Sequence, residues 1–235
     1  MRDRSDYGTS SERGTRATPP AGGRPPLRLR WFRHLILTGL ALALSALAFP
    51  QDRGREQSWH NIDAWQQPQG LPQNSVYAVL QTRDGYLWMG TKGGISRFDG
   101  VRFTTFDDAR QHELPDNEIW ALAEGADSSL WIGSYGGGLT QFKDGLFTTY
   151  TARDGLAQDF VAELCIGREG EIWIGTDAGL SRFKDGRFTN YTTRDGLIHN
   201  TIRSLYLDRD QSLWIGTQGG GLHQLRDGKI YPQSI

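Results

Sequence analysis

Short apolar blocks separated by polar turns run along most of this chain, at spacings that suit strands rather than helices. Ser75-Val76-Tyr77-Ala78-Val79-Leu80-Gln81 predicts a strand, followed by a turn at Arg83-Asp84-Gly85. Tyr86 to Thr91 predicts a second strand, broken by Lys92-Gly93-Gly94, and Ile95 to Phe98 a third. Asp99-Gly100 then turns the chain into a fourth, Val101 to Phe106. Asp-Gly between short β-branched or aromatic runs is a strong hairpin signal, and Asp144-Gly145, Asp185-Gly186 and Asp227-Gly228 repeat it.

The blocks themselves repeat. Leu87-Trp88-Met89-Gly90-Thr91 returns as Leu130 to Ser134, Ile172 to Thr176 and Leu213 to Thr217, with the tryptophans 43, 42 and 41 residues apart. A period near 42 with four short antiparallel strands per unit predicts a β-propeller of about four blades, in a partial or open ring, spanning residues 59–235. The expected blades are 74–107, 117–150, 159–192 and 200–231. The second strand has no polar alternation, as expected of a strand covered on both faces. Its Trp fills the space between blades and its Gly admits a neighbouring chain. A Trp-Gly pattern also suits sugar stacking, but recurrence at one strand position favours packing. Asn61 to Trp65 reads as a leading fourth strand, although the last unit already has its own at Lys229-Ile230-Tyr231.

The first 50 residues differ in kind. Residues 1–26, rich in Arg, Ser, Gly and Pro, predict a disordered leader. Residues 27–50 combine a basic stretch with an apolar run of about 14 residues, Leu35 to Ala48, and read as a signal peptide or an uncleaved signal anchor. Localisation is therefore expected to be exported, either periplasmic or inner-membrane anchored with the propeller in the periplasm. The net charge of −1 excludes the basic footprint that nucleic-acid binding needs. The single cysteine, Cys165, excludes an internal disulfide and aligns with Leu80, Ala123 and Tyr206, which predicts a packed strand residue.

The pattern Asn-x-Ile/Val, then Leu-Trp-Ile-Gly-Thr-x-x-Gly-Gly-Leu, then Arg-Phe-x-Asp-Gly-x-Phe resembles the two-component regulator propeller repeat. Asn74-Ser75-Val76, Leu87 to Thr91 and Arg97-Phe98-Asp99-Gly100 carry it, as do Asn200-Thr201-Ile202, Leu213 to Thr217 and Gly220-Gly221-Leu222. Blade three departs, with Asp159 for the Asn and Asp177-Ala178-Gly179 in the glycine turn. The resemblance implies the exported sensory region of a membrane receptor with a histidine kinase or diguanylate cyclase output. It also implies many more blades than four, so the chain reads as an N-terminal part of a larger receptor. A four-bladed ring and assembly with other copies are the alternatives.

Internal alignment separates what is fixed from what varies. After the second strand come Lys92, Tyr135, Asp177 and Gln218; before the inner strand come Gln73, Asp116, Gln158 and His199. These eight loop residues are the candidate ligand contacts, set against ordinary solvated loops. The recurrent Asn74, Asn117, Asp159 and Asn200 read as side chains bonding their own backbone at strand entry rather than as a metal ring. Gly136-Gly137-Gly138 and Gly219-Gly220-Gly221 lack the Lys-Ser/Thr of a phosphate loop and read as turns. Asp208-Arg209-Asp210 hints at calcium, but the other copies do not keep both carboxylates. No histidine lies in a phosphoacceptor helix pattern, and no catalytic constellation is visible. The expectation is a non-enzymatic sensor with no cofactor and no metal. Its expected partner is a small extracellular molecule, a glycan fragment being one class, with self-association through propeller faces or edges as a further possibility. The competing readings are a stand-alone exported protein-interaction propeller and a propeller lyase or hydrolase.

Overall fold

The computed structural model describes residues 63–106 and 114–233. The leader and the signal or anchor segment lie outside the described residues. So do residues 61 and 62 of the expected leading strand.

Among the described residues, sixteen strands form four antiparallel sheets of four, each in meander order. Blade one holds β1 (Val76–Gln81), β2 (Leu87–Thr91), β3 (Gly94–Phe98) and β4 (Phe103–Phe106). Blade two holds β5 (Ile119–Glu124), β6 (Leu130–Ser134), β7 (Leu139–Lys143) and β8 (Leu146–Tyr150). Blade three holds β9 (Val161–Ile166), β10 (Ile172–Thr176), β11 (Gly179–Lys184) and β12 (Arg187–Tyr191). Blade four holds β13 (Ile202–Leu207), β14 (Leu213–Thr217), β15 (Gly221–Arg226) and β16 (Lys229–Gln233). The first strands lie side by side, β1 by β5, β5 by β9 and β9 by β13, so they are the inner strands of a propeller arc.

Local chemistry fixes the turns. Asp144-Gly145, Asp185-Gly186 and Asp227-Gly228 have positive φ at both residues, the two-residue hairpin geometry that matches strand twist. Asp99 does not; its carboxylate instead accepts the amides of Val101 and Arg102 at 2.8 and 2.7 Å. That wider turn explains why β4 starts at Phe103 and not at Val101. The Thr or Ser closing each second strand also has a task. Thr91, Ser134 and Thr176 accept the amide two or three residues on, from Gly93, Gly137 and Ala178, at 3.0–3.1 Å.

Trp88, Trp131 and Trp173 are buried between successive blades, and Trp88 meets Phe142 of blade two at 5.8 Å. Trp214 is only partly buried, because no blade covers that side of blade four among the described residues. The segment before β1 is not a strand. Residues 67–69 form a 3-10 turn, and Trp65 lies 5.2 Å from Phe98 and 6.4 Å from Phe103. Tyr150 makes the same pair of contacts to Phe183 and Phe188 in blade three, at 4.9 and 6.1 Å. Trp65 therefore stands in for the end of a preceding outer strand and covers blade one, which resolves the leading segment without a vacant blade. Cys165 packs half-buried against the blade three–four core, and burial pushes its thiol pKa up.

One core position is polar in every blade: Ser96, Thr140, Ser181 and His223, all buried. Ser181 Oγ accepts the amide of Ala157 at 3.1 Å, and His223 Nε2 accepts that of Ile198 at 3.0 Å. In blades one and two the matching loop residue is Pro72 or Pro115, which has no amide to satisfy. His223 Nδ1 makes no hydrogen bond among the described residues. Burial lowers the pKa of the ring from its usual 6.5, with the backbone of Ile215 and Gly221 pulling weakly the other way. The folded ring is neutral, so its contribution is complete above about pH 6.5 and is lost as pH falls and the unfolded chain takes up a proton. Urea unfolding of His223→Ser is expected to show a flatter fall in stability from pH 7 to pH 5 than the parent chain. Parallel pH profiles would remove His223 as the source.

Candidate functional site

Every inner strand carries a β-bulge at its first turn of pairing. Val76 pairs with Thr91 and Ala78 with Gly90, leaving Tyr77 between them; the same shift isolates Trp120, Ala162 and Arg203. A bulge bends the strand and re-aims the extra side chain. All four lie at the end where the second strands finish and the next blade enters, the loop face. They differ in every blade, each directly after a Val or Ile that stays.

Two bulge residues found an aromatic ledge. Tyr77 stacks on Trp120 at 4.8 Å and 20°, and Trp120 meets Phe160 edge-on at 5.4 Å. Tyr135 leans on Phe160 at 5.1 Å. Tyr77 and Tyr135 remain 41% and 56% exposed, so the ledge presents π faces to solvent. Its indole N–H is fixed by Glu118 Oε1 at 3.3 Å, and the Glu118 carbonyl holds the Tyr135 amide at 2.9 Å.

Arg203 closes the ledge. Its guanidinium lies 6.0 Å from the Phe160 ring, pairs with Asp177 at 3.2 Å, and donates from Nε to Gln218 Oε1 at 3.0 Å. Blades three and four are thus tied across the loop face by one half-exposed cation. Beside the blade-three bulge, Glu163 stands where other blades have Ala78, Ala121 and Ser204, and burial raises its carboxyl pKa.

Three of the eight loop candidates, Tyr135, Asp177 and Gln218, belong to this cluster. Four others have an architectural task. Gln73, Asp116, Gln158 and His199 each accept the amide two residues on, from Ser75, Glu118, Phe160 and Thr201, the last three at 2.9, 3.1 and 3.1 Å. Lys92 is exposed, and among the described residues its side chain joins none of these groups. The Asn and Asp ahead of the inner strand act at longer range than expected. Asn74, Asp159 and Asn200 accept amides seven residues upstream, from Gln67, Ala152 and Thr193, at 2.7–2.9 Å, closing the loop between blades. Tyr77, Trp120, Phe160 and Arg203 were missed. For Tyr77, Trp120 and Arg203 the signal is a position that changes in every blade directly after a constant Val or Ile.

No group of three or more metal-ligating side chains occurs among the described residues. The carboxylates of Asp208 and Asp210 serve the Trp214 indole at 3.3 Å and the Ser212 amide at 3.0 Å.

The solved structures similar to this chain are propellers. The extracellular domain described as that of a hybrid two component system from B. thetaiotaomicron is 23% identical, with a TM-score of 0.66, over 73% of this chain and 26% of its own. One described as that of a one component system from the same organism is 20% identical, with a TM-score of 0.59, over 70% and 25%. Virginiamycin B lyase from Staphylococcus aureus is 14% identical, with a TM-score of 0.57, over 71% and 57%. At these identities the likeness is one of fold. This chain spans about a quarter of the length of the two extracellular domains. No curated protein matches it. The family model for the two component regulator propeller matches residues 70–93, 113–136 and 196–219, each running from the inter-blade Leu through the Trp strand into the glycine turn. Three of the four repeats of this chain match the two component regulator propeller repeat.

Proposed function

We propose that this chain is an exported ligand-sensing propeller region of a two-component receptor, and that the loop-face ledge is where it meets its ligand. The ledge carries the reading: Tyr77, Trp120 and Tyr135 offer stacking surfaces, and Arg203, Asp177 and Gln218 offer directional polar groups beside them. Scaffolds with rigid strands commonly present ligands to such variable rims. The family match and the likeness to extracellular sensor domains support export and a sensory role. The ligand class proposed is a small extracellular molecule with a flat or ring-shaped apolar face and hydrogen-bonding edges, glycan fragments among them.

The test is a library of glycan fragments and metabolites titrated onto the full chain. A ligand of the ledge is expected to lose about tenfold or more in affinity in Trp120→Ala, since each aromatic contact contributes on the order of 1 kcal/mol or more. Arg203→Ala should weaken it further, with unchanged circular dichroism. Hits that bind both variants as well as the parent would move the site elsewhere.

A further inference from the structure

The three blade interfaces share one construction at the end opposite the loop face. A crevice there is walled by the Trp of one blade, the third-strand residue beside it, and two apolar residues of the next blade. Between blades one and two these are Trp88, Arg97, Leu130 and Phe142, and the space left is about 90 Å³. Arg97 lies 4.4 Å from the Tyr86 ring and 5.7 Å from Trp88, and Phe142 fills the rest. Between blades two and three Gln141 replaces the cation, in a crevice of about 200 Å³.

The blade three–four crevice combines the larger space with a cation. It holds about 210 Å³, with Trp173, Tyr191, Leu207, Leu213 and Leu225 among its walls. Glu171 takes the place of Tyr86, and Leu225 that of Phe142. Both changes remove an aromatic ring and leave the cation. Arg182 lies 5.4 Å from the Trp173 ring, yet its Nε is buried and has no hydrogen-bond partner among the described residues. A buried donor without an acceptor is costly and rare in a folded protein.

The other charges at the mouth are engaged. Glu169 pairs with Lys184, Glu171 Oε2 accepts the Glu169 amide at 3.1 Å, and Asp227 pairs with Arg226 at 3.4 Å. Arg168 donates to the Arg209 carbonyl at 2.7 Å. The buried polar atom of the crevice left without a partner is therefore the Arg182 Nε–H, over an indole and beside aliphatic walls, with the carboxylates of Glu169, Glu171 and Asp227 also among the lining groups. Its complement is an anionic acceptor on a flat or aliphatic body, because charge-assisted bonds to guanidinium are the strong ones. The space corresponds to about seven water volumes, which suits a single-ring or short-chain acid.

We propose that the crevice between blades three and four, built on Arg182 and Trp173 with Leu213 and Leu225 in its wall, binds a small carboxylic acid with an aromatic or aliphatic body. The site lies at the other end of the blades from the loop face and stands or falls independently of it.

Calorimetric titration of the full chain with benzoate and hexanoate tests this. One saturable site is expected, with benzamide, the neutral counterpart of benzoate, bound at least about tenfold more weakly. Arg182→Gln should reduce benzoate affinity by a similar factor; Gln141 and Gln224 already occupy the equivalent position, so the blade accommodates it. Leu225→Phe, which places in this wall the ring that Phe142 supplies in the smaller crevice, should weaken binding several-fold with the cation intact. Arg97→Gln in the closed crevice should change nothing. Absence of saturable binding by either acid overturns the proposal, as does equal binding of benzamide or binding that is unchanged in both Arg182→Gln and Leu225→Phe.

Discussion

Trp131→Ala is expected to destabilise the propeller by about 3–5 kcal/mol, the range for emptying a buried aromatic site. Trp131 is 5% exposed, and its ring lies 5.6 Å from Phe183 of the next blade and 6.2 Å from Tyr150 of its own. Removing it opens a void that two blades share, and the aromatic walls on both sides cannot close on it together. Trp214→Ala, at the equivalent position of blade four, should cost about 1–2 kcal/mol, since its ring is already partly in water and forfeits less burial. Urea midpoints of the two variants, compared at matched slopes, give the difference. Equal costs would mean that the Trp stabilises its own blade rather than the joint between blades.

How far the sequence could be read follows from what each residue answers to. The Trp strands, the Asp-Gly hairpins and the four-strand unit were legible because they depend on local turn chemistry and on burial, both of which repeat with the period. The first hairpin was placed two residues early at Val101, since Asp99-Gly100 looks like its three counterparts and differs only in backbone φ. Variability marks the loop candidates, and it cannot tell a ligand contact from a turn cap. Gln73, Asp116, Gln158 and His199 differ chemically, yet each places one acceptor within reach of the same amide, so substitution among them leaves the architecture intact. The bulges were invisible for a geometric reason. An extra residue in every inner strand shifts pairing in all four blades equally, so the period is unchanged and no offset betrays it. What the sequence did contain was the change from Tyr77 to Trp120, Ala162 and Arg203 directly after a constant Val or Ile. The same blindness applies to Arg182: the crevice it lines is walled by Leu213 and Leu225, which lie in the next blade.

Gly133→Ala is expected to destabilise the chain by about 1–3 kcal/mol, the usual cost of forcing atoms into a packed core. A Cβ on Gly133 would lie 2.4 Å from Val161 Cγ1 and 2.9 Å from its Cβ, on the inner strand of blade three. Val161 is fully buried and β-branched, so it has little rotamer freedom with which to retreat. Gly90 and Gly175 meet Ile119 and Ile202 in the same way, at 2.7 and 2.8 Å. Gly216 meets no neighbouring blade. A Cβ there would approach Ser204 Oγ of its own sheet, which is exposed and can rotate aside. Gly216→Ala should therefore stay within about 0.5 kcal/mol of the parent, as surface changes away from special features do. Thermal and urea unfolding of the two single variants decide the matter. If the glycine served the strand backbone, both would lose stability alike. If it serves the close approach of one blade to the next, only Gly133→Ala will, and Val161→Ala added to it should recover part of the loss by vacating the space that the new methyl group needs.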